Sequence, residues 1–357
     1  MFIIDAHLDL AMNAMEWNRD LTRSVSDLRE RESGLRDKPD RARNTVSLPA
    51  LRAGRIGLVV ATQIARYVPK GSELPGWNSP QQAWAQTQAQ LAWYQTMVDA
   101  GEMVQITGFD SLDAHIKKWD DQAKPDQDKP IGFILSLEGA DSLVRIDYLE
   151  EAYAYGLRAL GPAHYGEGRY AGGTGTEAGF TDAGKSLLKE MDSLHMILDV
   201  THLTDLGFKE ALDIYQGPIW ASHHNCRALV KNQRQLSNDQ IRILIERGAV
   251  IGGVLDAWML TEGWIRGVSL PKAMGANLNR LIDHYDHICQ LAGNADHIAL
   301  GSDLDGAFGT EQSPYDLDTI TDLQKLPELL RKRGYASTDI KKIMHGNWMR
   351  FLRTAWQ

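Results

Sequence analysis

Residues Ile131–Asp141 read IGFILSLEGAD, an apolar run broken only by Gly132 and Ser136 that ends abruptly in Glu138. A strand with one wet face alternates apolar and polar residues. A continuous run of this kind suits a strand buried on both faces, as in a parallel sheet. The same pattern recurs outward in both directions. Before it lie Phe2–Ala6 (FIIDA) and Ile56–Gln63 (IGLVVATQ), and after it Leu157–Pro162, Met196–Thr201, Pro218–Ser222, Ala249–Leu255 and His297–Ser302. Helix signals separate these eight runs. Ser79-Pro80 supplies a cap and an N1 proline ahead of the apolar stripe Trp84, Leu91, Tyr94 and Val98. Thr204 caps a segment carrying Ala211, Leu212 and Tyr215. Ser237-Asn238-Asp239-Gln240 is a capping box, and Ser337–Leu352 reads as one terminal helix. Strand and helix in regular alternation predict an α/β fold, a closed (β/α)8 TIM barrel. The rival, an open doubly wound sheet, lacks its GxGxxG turn after an early strand.

With 357 residues, the chain fits a single domain over 1–357: a barrel of about 250 residues lengthened by inserted loops near 18–44 and 118–130. Both stretches mix charges with little apolar content, which predicts solvated or mobile loops, the first with a potential role as an active-site flap. The balance of 38 basic against 47 acidic residues gives −9, the wrong sign for nucleic acid or anionic lipid. No apolar run approaches the roughly 18 residues of a membrane span. Two cysteines exclude a disulfide scaffold, and MFIIDAHLDL has no basic, cleavable leader. A soluble, cytoplasmic protein is expected, with a small molecule as partner and a homodimer left open.

In a barrel, chemistry collects at the carboxyl ends of the strands. There the sequence delivers His7 and Asp9, then Glu138, His164, His202, His223 and Asp303. Each has an ordinary explanation taken singly: a cap, a turn, a satisfied core histidine. Together they share one geometric address. Alternate residues of an extended segment face the same way, so His7 and Asp9 can meet one ion. Imidazoles and carboxylates converging in a barrel mouth would be costly without a neutralising ion, and the set suits zinc or another divalent first-row metal. The donors exceed what one tetrahedral ion needs, which favours two ions sharing a carboxylate and a water. His224 reads as a neighbour of the site or a surface residue, His284, His287 and His345 as structural, and Cys226 as packing. The glycine-rich GTGTEAG (173–179) follows no strand, which argues against a phosphate cradle.

The assembled motifs resemble the membrane (renal) dipeptidase family of the amidohydrolase superfamily. DAHLDL (5–10) is similar to that family's Asp-x-His-x-Asp-Leu opening, and SLPALRAGRIGLVVATQ (47–63) to its Leu-Pro-x-Leu-Arg segment. SLEGAD, the 179–202 block ending in DVTH, ASHH, GSDLDG and HGNWMRFL (345–352) follow in the family's order. The resemblance implies a binuclear zinc hydrolase that cleaves dipeptides of L-Xaa-L-Xaa or L-Xaa-D-Xaa form through a metal-bridging hydroxide. It implies His7 and Asp9 on one zinc, His202 and His223 on the other, and Glu138 bridging. It further implies that His164 polarises the scissile carbonyl, that Asp303 shuttles the water's proton, and that Arg234 in KNQRQL grips the substrate carboxylate. The chain departs at Leu8, where the family often has Asn, and at GGVLDAWML (252–260), where an aromatic hydroxyl expected near that carboxylate is missing and Asp256 stands instead. That departure motivates an alternative: the same metal chemistry applied to N-acyl amino acids, or to another small amide or lactone.

Overall fold

A computed structural model describes all residues 1–357. Its strands are β1 (Ile3–Leu8), β2 (Ile56–Ile64), β3 (Met103–Gln105), β4 (Ile131–Glu138), β5 (Leu157–Gly161), β6 (Ile197–Asp199), β7 (Ile219–Trp220), β8 (Ile251–Gly253) and β9 (Ile298–Leu300). All pair in parallel, in the order β7-β6-β5-β4-β2-β1-β9-β8. The ring closes between β7 and β8, where Ala221 donates to Val250 O at 3.1 Å and Gly252 donates to Ala221 O at 2.8 Å. The expected eight-stranded barrel is therefore present. One strand was not anticipated: β3 pairs with residues 131–133 of β4, below the point where β5 takes over at Leu135. Its three residues, MVQ, are too few to carry a periodic signal.

Alternation along the strands divides the core in two. Ile4, Ala6, Leu58, Val60, Ile134, Ala159, Ile197, Trp220 and Ala299 form one apolar cluster inside the barrel. Ile3, Val59, Ala61, Phe133, Leu135 and Leu137 belong to the larger cluster beneath the helices. The terminal helical run plugs the barrel's amino end. Trp348 and Phe351 pack on Trp220 with ring centroids 5.6 and 5.7 Å away, and His345 Nδ1 lies 3.0 Å from Phe2 O. That run extends from Ser337 to Ala355, but a π turn at Lys342–Gly346 interrupts it, so it is not one regular helix.

The caps behave as expected. Ser79 Oγ accepts from Gln82 N ahead of the helix Pro80–Asp99, and Ser237 and Gln240 exchange the two bonds of a capping box. No helix is long and apolar enough to cross a membrane.

The two charged stretches are mostly exposed, but each also buries charged side chains that composition does not announce. Residues 18–44 contain a helix, Val25–Arg31, and a buried ion network. Arg19 Nε donates to Glu32 Oε1 at 2.8 Å and Nη2 to Asp40 Oδ2 at 3.0 Å; Arg41 reaches Glu32 at 2.8 Å. Charges that looked solvated in sequence pair with one another out of water. None of residues 18–44 lines the central cavity. In 118–130, the buried Lys129 ammonium donates to Trp119 O at 3.0 Å and to Asp126 at 2.9 Å.

Candidate active site

At the carboxyl end of the strands lies a cavity of about 360 Å³. Asp9, Glu138, His164, His202, His223, Arg234 and Asp303 line it, and His7 stands directly beneath, so all eight expected residues are brought together. Glu138 is the hub. Its Oε1 lies 3.6 Å from His7 Nε2, 3.3 Å from His202 Nε2 and 3.5 Å from His223 Nε2. His7 Nε2 is also 3.7 Å from Asp9 Oδ1 and 3.8 Å from Asp303 Oδ1. His164 Nε2 stands 3.9 Å from the other oxygen, Glu138 Oε2.

Local structure explains how the chain reaches this geometry. Glu138 ends β4, and His7 sits near the end of β1. His202 and Asp303 both follow strands in the left-handed backbone region, at φ 69° and 57°, conformations that non-glycine residues adopt only when their surroundings hold them there. Asp303 N donates to His7 O at 3.2 Å. Gly306 allows the tight turn after it, since a Cβ at that position would stand 2.0 Å from Asp303 Oδ1.

The donor set fits divalent cations. His7 Nε2 is buried without a hydrogen-bond partner, and the Nε2 atoms of His202 and His223 face each other at 3.3 Å. Nitrogen and carboxylate ligand atoms within 4.8 Å of one another occur in three sets: His7, Asp9 and Glu138; Glu138, His164 and His202; and His7, His223 and Asp303. Charge coupling among them is strong. Burial works against ionising Glu138, but His7 and His164 hold it well below the usual carboxylate range. Burial pushes Asp303 well up, helped by Asp9 and Glu138 and opposed by His7. Burial likewise pushes His164 down to about 3, with Arg66 and Arg234 acting in the same direction against Glu138.

Comparison with known proteins identifies the lineage. The family model for membrane dipeptidase, peptidase family M19, matches residues 1–357. The chain belongs to the membrane dipeptidase family. That places it among metal-dependent dipeptidase hydrolases of TIM-barrel fold. An uncharacterized protein in the pqqA 5' region of Klebsiella pneumoniae is 30% identical over 240 residues, which is 65% of this chain and 84% of that one. Dipeptidase tcpJ of Claviceps purpurea is 27% identical over 234 residues, 62% of this chain but 51% of the fungal protein, so the match spans about half its length. In fold, the chain is similar to a metallopeptidase from Rhodobacter sphaeroides solved with a phosphinate mimic of the dipeptide L-Ala-D-Ala. The TM-score is 0.75 at 23% identity, covering 100% of this chain and 99% of that one.

Several residues of this membrane dipeptidase family member escape a motif reading. The Thr62 hydroxyl donates to Asp9 Oδ1. Thr174, inside the glycine-rich stretch set aside above, has its hydroxyl 2.8 Å from His202 Nδ1. Ser222 Oγ lies 2.9 Å from His223 Nδ1, and Arg66 Nη2 lies 2.6 Å from His164 Nδ1. Arg66 falls just past β2, so the strand-end rule that found the others would have found it too. Asp256, at the departing segment, lines the cavity, accepting from Trp258 Nε1 at 2.7 Å and Gln312 Nε2 at 2.8 Å.

Proposed function

We propose that this chain is a binuclear zinc dipeptidase acting on L-Xaa-L-Xaa or L-Xaa-D-Xaa substrates. The observation that carries the reading is the convergence of three imidazole Nε2 atoms, within 3.3–3.6 Å, on the single oxygen Glu138 Oε1. His7 and Asp9 would hold one ion and His202 and His223 the other, with Glu138 shared between them. When bound, the pair supplies Lewis acidity at the substrate carbonyl and brings the pKa of a shared water toward neutrality.

The side chains do the rest. Asp303, whose carboxyl burial pushes up, takes the proton of the attacking water and returns it to the leaving amine. His164 stabilises charge developing on the carbonyl oxygen. Arg234 is buried, with Nη2 donating to His223 O at 3.0 Å and Nε and Nη1 lacking partners. A substrate carboxylate would satisfy an unpaired N–H of this guanidinium. Nη2 also lies 3.4 Å from His202 Nε2, so the clamp stands beside the residues that would hold the metal, which suits short substrates with a free carboxylate. The Rhodobacter relative's dipeptide-mimic ligand supports the same substrate class.

Kinetics over dipeptides varying in C-terminal chirality, with zinc supplied, test the reading. N-acyl amino acids and lactones belong in the same screen, because the departing segment 252–260, which puts Asp256 in the cavity wall, motivates them as the second reading. Hydrolysis of dipeptides above all others is expected. Turnover confined to N-acyl amino acids or lactones would replace the reading, and no turnover in any class would end it.

A further inference from the structure

Four histidines crowd the mouth of the barrel, and distance alone does not say which of them bind metal. The ligand-atom set Glu138, His164 and His202 is as compact as the set His7, Asp9 and Glu138. The partner on the opposite ring nitrogen does separate them. His202 and His223 each set Nδ1 against a hydroxyl, Thr174 Oγ1 at 2.8 Å and Ser222 Oγ at 2.9 Å. A hydroxyl oxygen accepts an N–H, so Nδ1 can carry the ring proton and leave the Nε2 lone pair free for a cation. His164 differs. Its Nδ1 faces Arg66 Nη2 at 2.6 Å, and a guanidinium donates only. Nδ1 must therefore accept, and the ring proton of a neutral imidazole resides on Nε2. A protonated Nε2 has no lone pair to give a metal. It is instead an N–H donor lining the cavity.

We infer that Arg66 is a positioning residue that fixes the tautomer of His164, making it a hydrogen-bond donor to the substrate carbonyl oxygen and barring it from the metal centre. The inference rests on the dipeptidase reading for the word substrate, but its tautomer component stands independently. The surroundings of Arg66 support it. Residues 66–77 double back after β2, with Trp77 N donating to Arg66 O at 2.8 Å and Val68 N to Trp77 O at 2.9 Å. The Arg66 side chain ties the same strap through Nη1 to Pro75 O at 2.8 Å, while Leu74 and Pro75 wall the cavity. Its Nε is buried with no partner, so the guanidinium is not arranged to satisfy its own hydrogen bonds. One segment thus both borders the substrate space and orients the donor within it.

Two measurements on the zinc-loaded full chain test this. Nitrogen-15 spectra of histidine-labelled protein, with His164 assigned by its loss in His164→Gln, should show the Nε2–H tautomer in the parent and its loss or mixing in Arg66→Met. A kinetic cycle over dipeptides then uses Arg66→Met, Arg66→Lys, His164→Gln and the Arg66→Met/His164→Gln double variant. Arg66→Met is expected to lower kcat about 10-fold or more, within the range for residues that orient a site from behind, with KM and zinc content little changed. Arg66→Lys, which retains a donor, should recover part of the loss. In the His164→Gln background, removing Arg66 should change kcat by less than about twofold, because the two act as a unit. An Nδ1–H tautomer in the parent overturns the inference. So does a KM effect that persists without His164, which would mean that Arg66 grips substrate directly. If the parent hydrolyses no dipeptide, the proposed function fails while the spectra still decide the tautomer. A variant that fails to fold leaves the parent spectrum to decide.

Discussion

Asp305 accepts hydrogen bonds from both the backbone N–H and the hydroxyl of Thr45, at 2.7 and 2.8 Å, across 260 residues of sequence. Val46 N adds a third at 2.9 Å, and Asn13 Nδ2 holds the Asp305 carbonyl at 2.8 Å. The contact joins the end of the charged 18–44 segment to the loop that carries Asp303. That loop has left-handed backbone at Asp303, Asp305 and Ala307, so it needs outside support. Asp305→Ala should cost about 3 kcal/mol of stability, since it strands buried donors, and should lower kcat while zinc content is retained. Urea titration and metal analysis check both. Unchanged kcat in a destabilised variant would show that the brace does not reach Asp303.

Arg19 makes the complementary prediction for the segment itself. Its side chain is fully buried between Glu32 and Asp40, and Nη1 also donates to Asn13 Oδ1 at 2.6 Å. Arg19→Met would leave Asp40 buried without its counter-charge and Glu32 with Arg41 alone. A loss of about 3–5 kcal/mol is expected, read from urea unfolding. A loss below about 1 kcal/mol, the range of exposed pairs, would mean that water reaches the network.

What the sequence made legible follows from how each feature is encoded. The barrel is written in strands such as Ile56–Ile64, whose burial on both faces leaves an apolar run through Ala61. The site is legible because strand ends share one address, so His7, Glu138, His202, His223 and Asp303 can be gathered before any coordinates exist. β3 was not legible, because its three residues borrow their order from the edge of β4. The fold of residues 18–44 was not legible either: composition counts charges but does not say that Arg19 meets Glu32 and Asp40. Thr174 acts through its side-chain contact with His202, and no local pattern encodes a contact made between distant segments.

Asp256 predicts a pH dependence of stability. Burial pushes its carboxyl up to about 6, against Arg266, Gln312 and Trp258, which favour the charged form. An unfolded aspartate titrates near 3.9. Between about pH 4 and 6 the native chain therefore holds a proton that the unfolded chain has released, and this group's contribution to stability falls as pH rises through that window. Above it the contribution is constant. Asp256→Asn removes the dependence, so the stability of the variant relative to the parent should rise between pH 4.5 and 7.5 by on the order of 1–3 kcal/mol. Paired unfolding curves at the two pH values measure it, and a pH-independent difference would contradict the burial of this charge.

The proposed sharing of Glu138 between two ions would have its own signature. Glu138→Gln should weaken both sites, whereas His202→Ala should weaken mainly one, leaving close to one zinc per chain against about two in the parent. Metal analysis after dialysis against a mild chelator reads the stoichiometry directly. Equal losses in the two variants would argue that His202 also bridges, or that the ions bind only as a pair.

Arg234 and Asp303 should separate in kinetics, because they act at different moments. In the proposed mechanism Arg234 meets the substrate carboxylate before and during reaction alike, so Arg234→Ala should raise KM for dipeptides by about 10-fold or more with a smaller change in kcat. Its effect should vanish for substrates lacking that carboxylate. Asp303 works only as the proton moves, and Asp303→Asn retains the size and some of the hydrogen bonding of the side chain while removing the base. A fall in kcat of about 10²–10⁴-fold with KM near the parent value is expected. Two aspartates lie within 4 Å of His7, Asp9 at 3.7 Å and Asp303 at 3.8 Å, and they differ in this respect. If Asp9 is a ligand and Asp303 the base, Asp9→Asn should lose zinc and Asp303→Asn should not. Zinc loss in the Asp303 variant, or a KM effect from Asp303 with a kcat effect from Arg234, would reverse the assignment of roles.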